Sequence, residues 1–337
     1  MDFAVSWEGI PRKRLIKESQ KILIKMNPEI TPETIRIAYK LILNREPESQ
    51  QAIESHLAVR SLEELGQVMI KSEEYRAKSD SLESVLKSHW IAVEVMEDFI
   101  QWIDVRDKFV SRGCMQNNWE PNETAYFTSR VGSGDVVLDI GANIGWFTLL
   151  GAKLTGSKGR VYAFEPRPET AKMLRRTIAH NNLQNQVDVF ETAVSDRRGE
   201  LKLAVVPNAE NPGGSFLITE NILRDSIPSV SVKTAPLDEL LEGVKADFVK
   251  IDVEGAEPMV FAGAMKTIQR SHPIILSELH PKQLKEVSNF SPREYIELME
   301  RYGYKCFLLE NGKPTDQLVD YPRGRSEDLV SVVFEIK

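Results

Sequence analysis

The sequence predicts an α/β fold in which a mostly parallel, doubly wound sheet is preceded by a small all-α domain. Three observations carry this reading. From Gly134 onward short β-rich runs alternate with helical stretches, the pattern of strand–helix–strand units. Before about residue 80 the apolar residues recur only at helical spacing. The 337 residues, 42% hydrophobic and 28% charged, suit two packed domains and exclude disorder.

In the first region Leu15, Ile16, Ile22, Leu23 and Met26, then Ile35, Ala38, Tyr39, Ile42 and Leu43, step by three and four. Thr31 before Pro32 marks a helix start, with the threonine as cap and the proline in the first turn. Ser61 with Glu64 three residues on is a capping box. Arg12, Lys13, Arg14, Lys17, Lys21 and Lys25 would suit a peripheral membrane surface or a polyanionic glycan, but a solvated helix face is the favoured reading. Acids and bases balance up to Asp80, so the net charge of −7 belongs to the remainder. The polar run Lys78-Ser79-Asp80-Ser81 sets a boundary. Beyond it residues 82–107, with Val85, Trp90, Val93, Met96, Ile100 and Ile103 on one side, read as a linking helix. The domains are therefore placed at 1–80, 81–119 and 120–337.

Strands are expected at residues 136–139, 160–165, 187–194, 246–252 and 274–278, with helices at 147–153, 168–181, 258–270 and 292–301. Runs 200–206 and 229–234 look like an inserted hairpin or edge, and 305–310 with 329–335 like an antiparallel pair at the sheet edge. The longest uncharged stretch, residues 140–152, is too short to span a bilayer. Two cysteines and an acidic N-terminus without an apolar run point to neither a disulfide framework nor an export signal, and the expected location is the cytoplasm. An acidic balance argues against nucleic acid as partner.

The chemistry gathers after the first strand of this region. Asp139-Ile140-Gly141-Ala142-Asn143-Ile144-Gly145-Trp146-Phe147 is a strand end, an acid and a tight glycine turn that opens a helix. Gly141 and Gly145 allow close backbone approach to a ligand, and the helix start offers free N–H donors. Asn143 stands where a dinucleotide fingerprint has its second glycine, and Asp139 suits an ammonium group better than a pyrophosphate. Glu165, 24 residues after Gly141, ends the next strand, where a carboxylate accepts from both hydroxyls of a ribose. A nucleoside with an amino-acid end is the implied ligand.

With these residues the sequence resembles the S-adenosylmethionine-dependent methyltransferases of the FkbM type. The matching blocks are residues 139–147, Phe164-Glu165-Pro166, residues 193–196, residues 247–257 and Ser277-Glu278-Leu279-His280. The resemblance implies a Rossmann-like class I methyltransferase sheet of seven strands whose last pair is antiparallel, and methyl transfer to a hydroxyl oxygen. It implies S-adenosylmethionine held by Asp139, Gly141, Ala142, Asn143, Gly145, Trp146, Phe147, Glu165, Pro166, Ala193, Val194 and Ser195, with Asp252 between cofactor and acceptor. The N-terminal block around residues 38–47, 61–65 and 72–75 resembles a small helical domain found beside glycan-related proteins, which favours a sugar-containing acceptor. His280, after the fifth strand, is the expected base, and Glu278 shares its face of an extended segment. Asp252, Glu254 and Glu278 are carboxylates that a divalent cation accepts, but three acids are not a coordination sphere and no metal site is assigned. Residues 211–216 are glycine-rich, as a loop over an active site or a bend between strands. The competing readings are a nicotinamide dehydrogenase, disfavoured by the missing glycines, and a non-catalytic glycan- or partner-binding protein on the same scaffold.

Overall fold

The structure, a computed structural model, describes residues 30–39, 46–59, 61, 64–65, 68–69, 72, 89–205, 214–220, 222, 228–315 and 329–336. The chain forms two compact units, residues 1–88 and 89–337. In the first, Thr31 caps helix Pro32–Ala38 by accepting from the Thr34 N–H, and Ser49 caps Gln50–Glu54. Ser61 accepts from the Glu64 N–H, the first half of the expected capping box. Ile35, Ala38, Tyr39, Ile53, Leu65 and Met69 make a core of their own. The expected helix over residues 15–26, with its basic face, and the boundary at Lys78–Ser81 lie outside the described residues, as do Ile42, Leu43 and residues 211–213 of the glycine-rich loop.

The linking helix is a correction. The described part of that segment, within the second unit, is a β-hairpin of β1 (Trp90–Val95) and β2 (Phe99–Asp104), paired antiparallel from Trp90↔Asp104 to Val95↔Phe99. Its turn has Met96 and Glu97 at positive φ without a glycine. Tertiary bonds hold that conformation: the Met96 N–H donates to Asn117 and Lys153 donates to the Met96 carbonyl. The outer edge of β2 is satisfied by a helix rather than a strand. The Asn181 side chain donates to the carbonyl of Ile100 and accepts from its N–H, and Thr177 accepts from the Trp102 N–H. Long-range pairing of this kind overrides the helical spacing of the apolar residues.

The main sheet contains β3 (Val136–Ile140), β4 (Arg160–Phe164), β5 (Val187–Phe190), β10 (Phe248–Ile251), β11 (Ile274–Leu279), β12 (Tyr304–Glu310), β13 (Lys313–Pro314) and β14 (Val330–Ile336). Its order is β13-β12-β14-β11-β10-β3-β4-β5. The five strands from β11 to β5 are parallel, and β14 runs antiparallel to both β11 and β12. Thus the expected seven strands gain a two-residue eighth, and the antiparallel pair is not simply at the edge, because β14 is inserted between β12 and β11. Successive strand residues face opposite cores. Val137, Val161, Phe248 and Leu276 pack with helices Pro121–Arg130, Trp146–Thr155 and Pro168–His180. Leu138, Val249 and Ile275 pack with Glu257–Ser271 and Pro292–Glu300. Burial on both faces explains the continuous apolar strands.

The expected strand over 187–194 is divided between two sheets. After β5 the chain enters β6 (Ala193–Val194), which joins β7 (Gly199–Ala204), β8 (Leu217–Ile218) and β9 (Ser229–Ala235) in the order β6-β9-β7-β8. β7 and β9 form the antiparallel pair expected from the sequence.

Candidate active site

Parallel strands end together on one side of the sheet, and there the second unit has a cavity of about 330 Å³, the usual place for a ligand in an open α/β fold. It extends from Thr192 and Val194 across the ends of β4 and β3 to β10, β11 and the start of β14 at Ser331.

The glycine turn forms its centre. Gly141 has φ +88°, and its N–H and that of Ala142 both donate to the Phe164 carbonyl at 3.0 Å. A side chain at 141 would begin 1.8 Å from the Asp252 carbonyl oxygen, so only glycine fits. Glu165 locks the turn from the next strand. Its Oε2 accepts from the Asn143 N–H at 2.9 Å and its Oε1 from the Arg167 N–H at 2.8 Å. Burial pushes its pKa up to about 7 against those two bonds. Asp139 is 2% exposed, accepts from the Thr148 hydroxyl at 2.5 Å, and is pushed up to about 6 by burial. Ala142, Gly145, Trp146, Phe147, Pro166, Ala193 and Val194 also line the cavity. Ser195 is not among the lining residues; it is buried, and its N–H donates to Ala235.

The other end contains residues that sequence reasoning missed. Lys250 points out of β10, 3% exposed, with Nζ 3.0 Å from Asp252 Oδ2, 3.4 Å from Glu120 Oε2 and 5.0 Å from the Phe147 ring. Burial works to lower its pKa, but Asp252, Glu120 and Glu278 outweigh it and hold the ammonium charged. Glu120 stands before helix Pro121–Arg130 at φ 41°, and its buried Oε2, apart from the ion pair with Lys250, makes no hydrogen bond among the described residues. Burial raises Glu120 to about 7 despite Lys250. Glu278 lines the cavity and is raised well above the ordinary carboxylate range by burial, then by Asp252 and Glu254. Glu254, at φ 56°, accepts from the Gln283 side chain and is raised to about 8, by burial and by Asp252. Glu123 accepts from Ser331 across the cavity wall. One sequence signal was available for Lys250: a charge inside the apolar run Phe248-Val249-Lys250-Ile251.

His280 is not brought to this cavity. It precedes the short helix Pro281–Gln283, does not line the cavity, and its buried Nδ1 has no hydrogen-bond partner among the described residues. Burial, then Lys282, lowers its pKa. Glu278 lies within β11 and lines the cavity, whereas His280, just past the strand and extended at φ −114°, is not among the lining residues.

Residues 139–306 match the model of the methyltransferase FkbM domain. The hexuronic acid methyltransferase AglP of Haloferax volcanii is 32% identical over 149 residues, 43% of this chain and 56% of that protein. The 31-O-demethyl-FK506 methyltransferase FkbM of Streptomyces tacrolimicus is 41% identical over 157 residues, 39% of this chain and 59% of that protein. The match to the 2-O-methyltransferase NoeI of Sinorhizobium fredii is 28% over 168 residues, 45% of this chain and 65% of that one. The chain therefore spans between about half and two thirds of the length of these relatives. Among solved structures, the methyltransferase FkbM from Methylobacillus flagellatus shares 18% identity at a TM-score of 0.39, covering 61% of this chain and 44% of that one. Through residues 139–306 the chain belongs to the FkbM methyltransferase family.

Proposed function

We propose that the protein is an S-adenosylmethionine-dependent O-methyltransferase whose acceptor is a sugar hydroxyl. The observation that carries this reading is a single cavity with the Glu165-locked glycine turn at one end and Glu278 and Asp252 at the other. The residues present fit the cofactor. Gly141, Ala142 and Asn143 line the cavity, and Glu165, already fixed by two N–H donors, retains lone pairs for the ribose hydroxyls. Thr192, Ala193 and Val194 would flank the base, and Asp252 and the turn the amino-acid end. Bound S-adenosylmethionine supplies an activated methyl group on a sulfonium. The name of NoeI, a 2-O-methyltransferase, supports oxygen as the acceptor atom, and that of AglP, a hexuronic acid methyltransferase, supports a sugar; the acid group belongs to AglP's acceptor and is not carried over to this chain.

What the chain contributes is alignment and removal of one proton. Glu120, Asp252 and Lys250 fix the polar floor, and buried walls limit water. Glu278 would take the acceptor's hydroxyl proton on its carboxylate. Its raised pKa makes it a stronger base than an ordinary carboxylate, at the cost of requiring deprotonation first. Turnover is expected to rise with pH through a midpoint above the ordinary carboxylate range. Glu278→Gln should lower kcat by about 10²- to 10⁴-fold and abolish that rise. His280→Ala should leave kcat within about twofold, since a group outside the cavity lining contributes no proton transfer; a loss as large as that of Glu278→Gln would return the base to His280.

Calorimetric titration with S-adenosylmethionine and, separately, NAD tests the cofactor. Saturable binding of the first alone is expected, strengthening as pH rises through about 7 while Glu165 ionises. Glu165→Ala should weaken it by about 10- to 100-fold, the range of a lost hydrogen-bonded charge. Unchanged affinity in that variant overturns the ribose assignment.

A further inference from the structure

Resting on the methyl-transfer reading, we infer that the acceptor is an uncharged polyhydroxy compound whose C–H face lies on Phe109, and that acceptors bearing a carboxylate or phosphate at this end of the cavity are rejected. Two independent features support it. The first is charge. Over β10, β11 and β14 the described lining presents Glu120, Glu123, Asp252, Glu254 and Glu278 against Lys250 alone, and Lys250 is already engaged by Asp252 and Glu120. Arg167, the other basic residue of the described lining, lies at the glycine-turn end and pairs with Glu169 at 3.2 Å. Burial raises Glu120 and Glu278 first and Asp252 raises both further, so the carboxyl groups here already disfavour one another's charge. A further anion would meet repulsion, whereas hydroxyl groups donate to carboxylates.

The second feature is an aromatic ring at the mouth. Phe109 is 56% exposed and nevertheless lines the cavity. Its backbone is fixed: Asp107 accepts from the N–H groups of Phe109 and Ser111 at 2.9 Å, and the Ser111 hydroxyl accepts from the Asp104 N–H at 3.1 Å. Leu329, 53% exposed, joins the same apolar lip. A ring held open beside an acidic floor matches a ligand with one C–H face and a hydroxylated edge. No such ring surface is needed by the cofactor, whose expected contacts lie at the glycine turn and β6.

The test uses the full chain saturated with S-adenosylhomocysteine, titrated with methyl glycosides of glucose, galactose and mannose and with the matched methyl glycosides of their uronic acids. At least one neutral glycoside should bind, with its matched acid at least about tenfold weaker. Phe109→Ala should weaken the neutral glycoside by about tenfold and raise KM rather than lower kcat, with S-adenosylhomocysteine affinity unchanged, since the ring is on the surface. Equal or tighter binding of an acid, binding of no glycoside, or wild-type affinity in Phe109→Ala overturns the proposal. Failure of S-adenosylhomocysteine itself to bind overturns the methyl-transfer reading instead, so the two failures are distinct.

Discussion

Gly141→Ala is expected to destabilise the protein by about 3–5 kcal/mol and to eliminate cofactor binding. The added methyl lands 1.8 Å from the Asp252 carbonyl oxygen and 2.8 Å from its carbon, and both are backbone atoms. They do not move freely, because the Asp252 N–H donates to Ile140 at 2.9 Å and ties the end of β10 to β3. The residue also sits at φ +88°, which side chains disfavour. Gly134→Ala separates the two terms. That glycine has φ +92° with nothing within 4 Å of an added methyl, so it should cost only about 1–2 kcal/mol. Urea unfolding of both variants measures the difference, and equal losses would show that the approach of Asp252 to the turn is not the constraint.

Lys250→Met should cost about 3–5 kcal/mol at neutral pH, because it leaves Glu120 and Asp252 in the cavity wall without their cation. The loss has a defined pH dependence. A carboxyl group whose folded pKa is raised binds more protons in the native state than unfolded, so stability is greatest at low pH and falls as pH rises. For Glu120 that window runs from the ordinary 4.5 to about 7 in the native protein, and it extends further upward once Lys250 is gone. The deficit of the variant should therefore be small at pH 5 and large at pH 8. A deficit that does not change with pH would mean that Lys250 acts through packing of its alkyl chain instead.

Much of the site was legible because its residues are close in sequence. The glycine turn, Asp139 and Glu165 belong to one strand–helix–strand unit, and backbone geometry requires those residue types at that spacing. The acidic end was legible only in part. Asp252 and Glu278 end neighbouring strands, but Glu120 reaches Lys250 from a helix start 130 positions away, and no local pattern encodes that encounter. The hairpin of β1 and β2 was misread for a related reason. Trp90, Val93, Met96, Ile100 and Ile103 keep helical spacing, and the turn at Met96 and Glu97 lacks the glycine or asparagine that marks such a turn. What selects the hairpin is its pairing with Asn181 and Thr177, distant in sequence. His280 follows β11 as the strand pattern predicts, and of the pair only Glu278 is in the described cavity lining, which no spacing in the sequence encodes.

The position of β14 has a consequence for how the molecule is made. The half of the sheet that carries the glycine turn and Glu165 is assembled from neighbouring segments in chain order, β3, β4 and β5. The acidic half is completed by β14, which enters between β11 and β12 after both have been synthesised and brings Ser331 to Glu123. During synthesis the nucleoside-facing half is therefore able to form while the opposite half still has a gap in its hydrogen-bonded ladder. Contacts this distant along the chain close slowly, so the two ends of one cavity are expected to mature at different times.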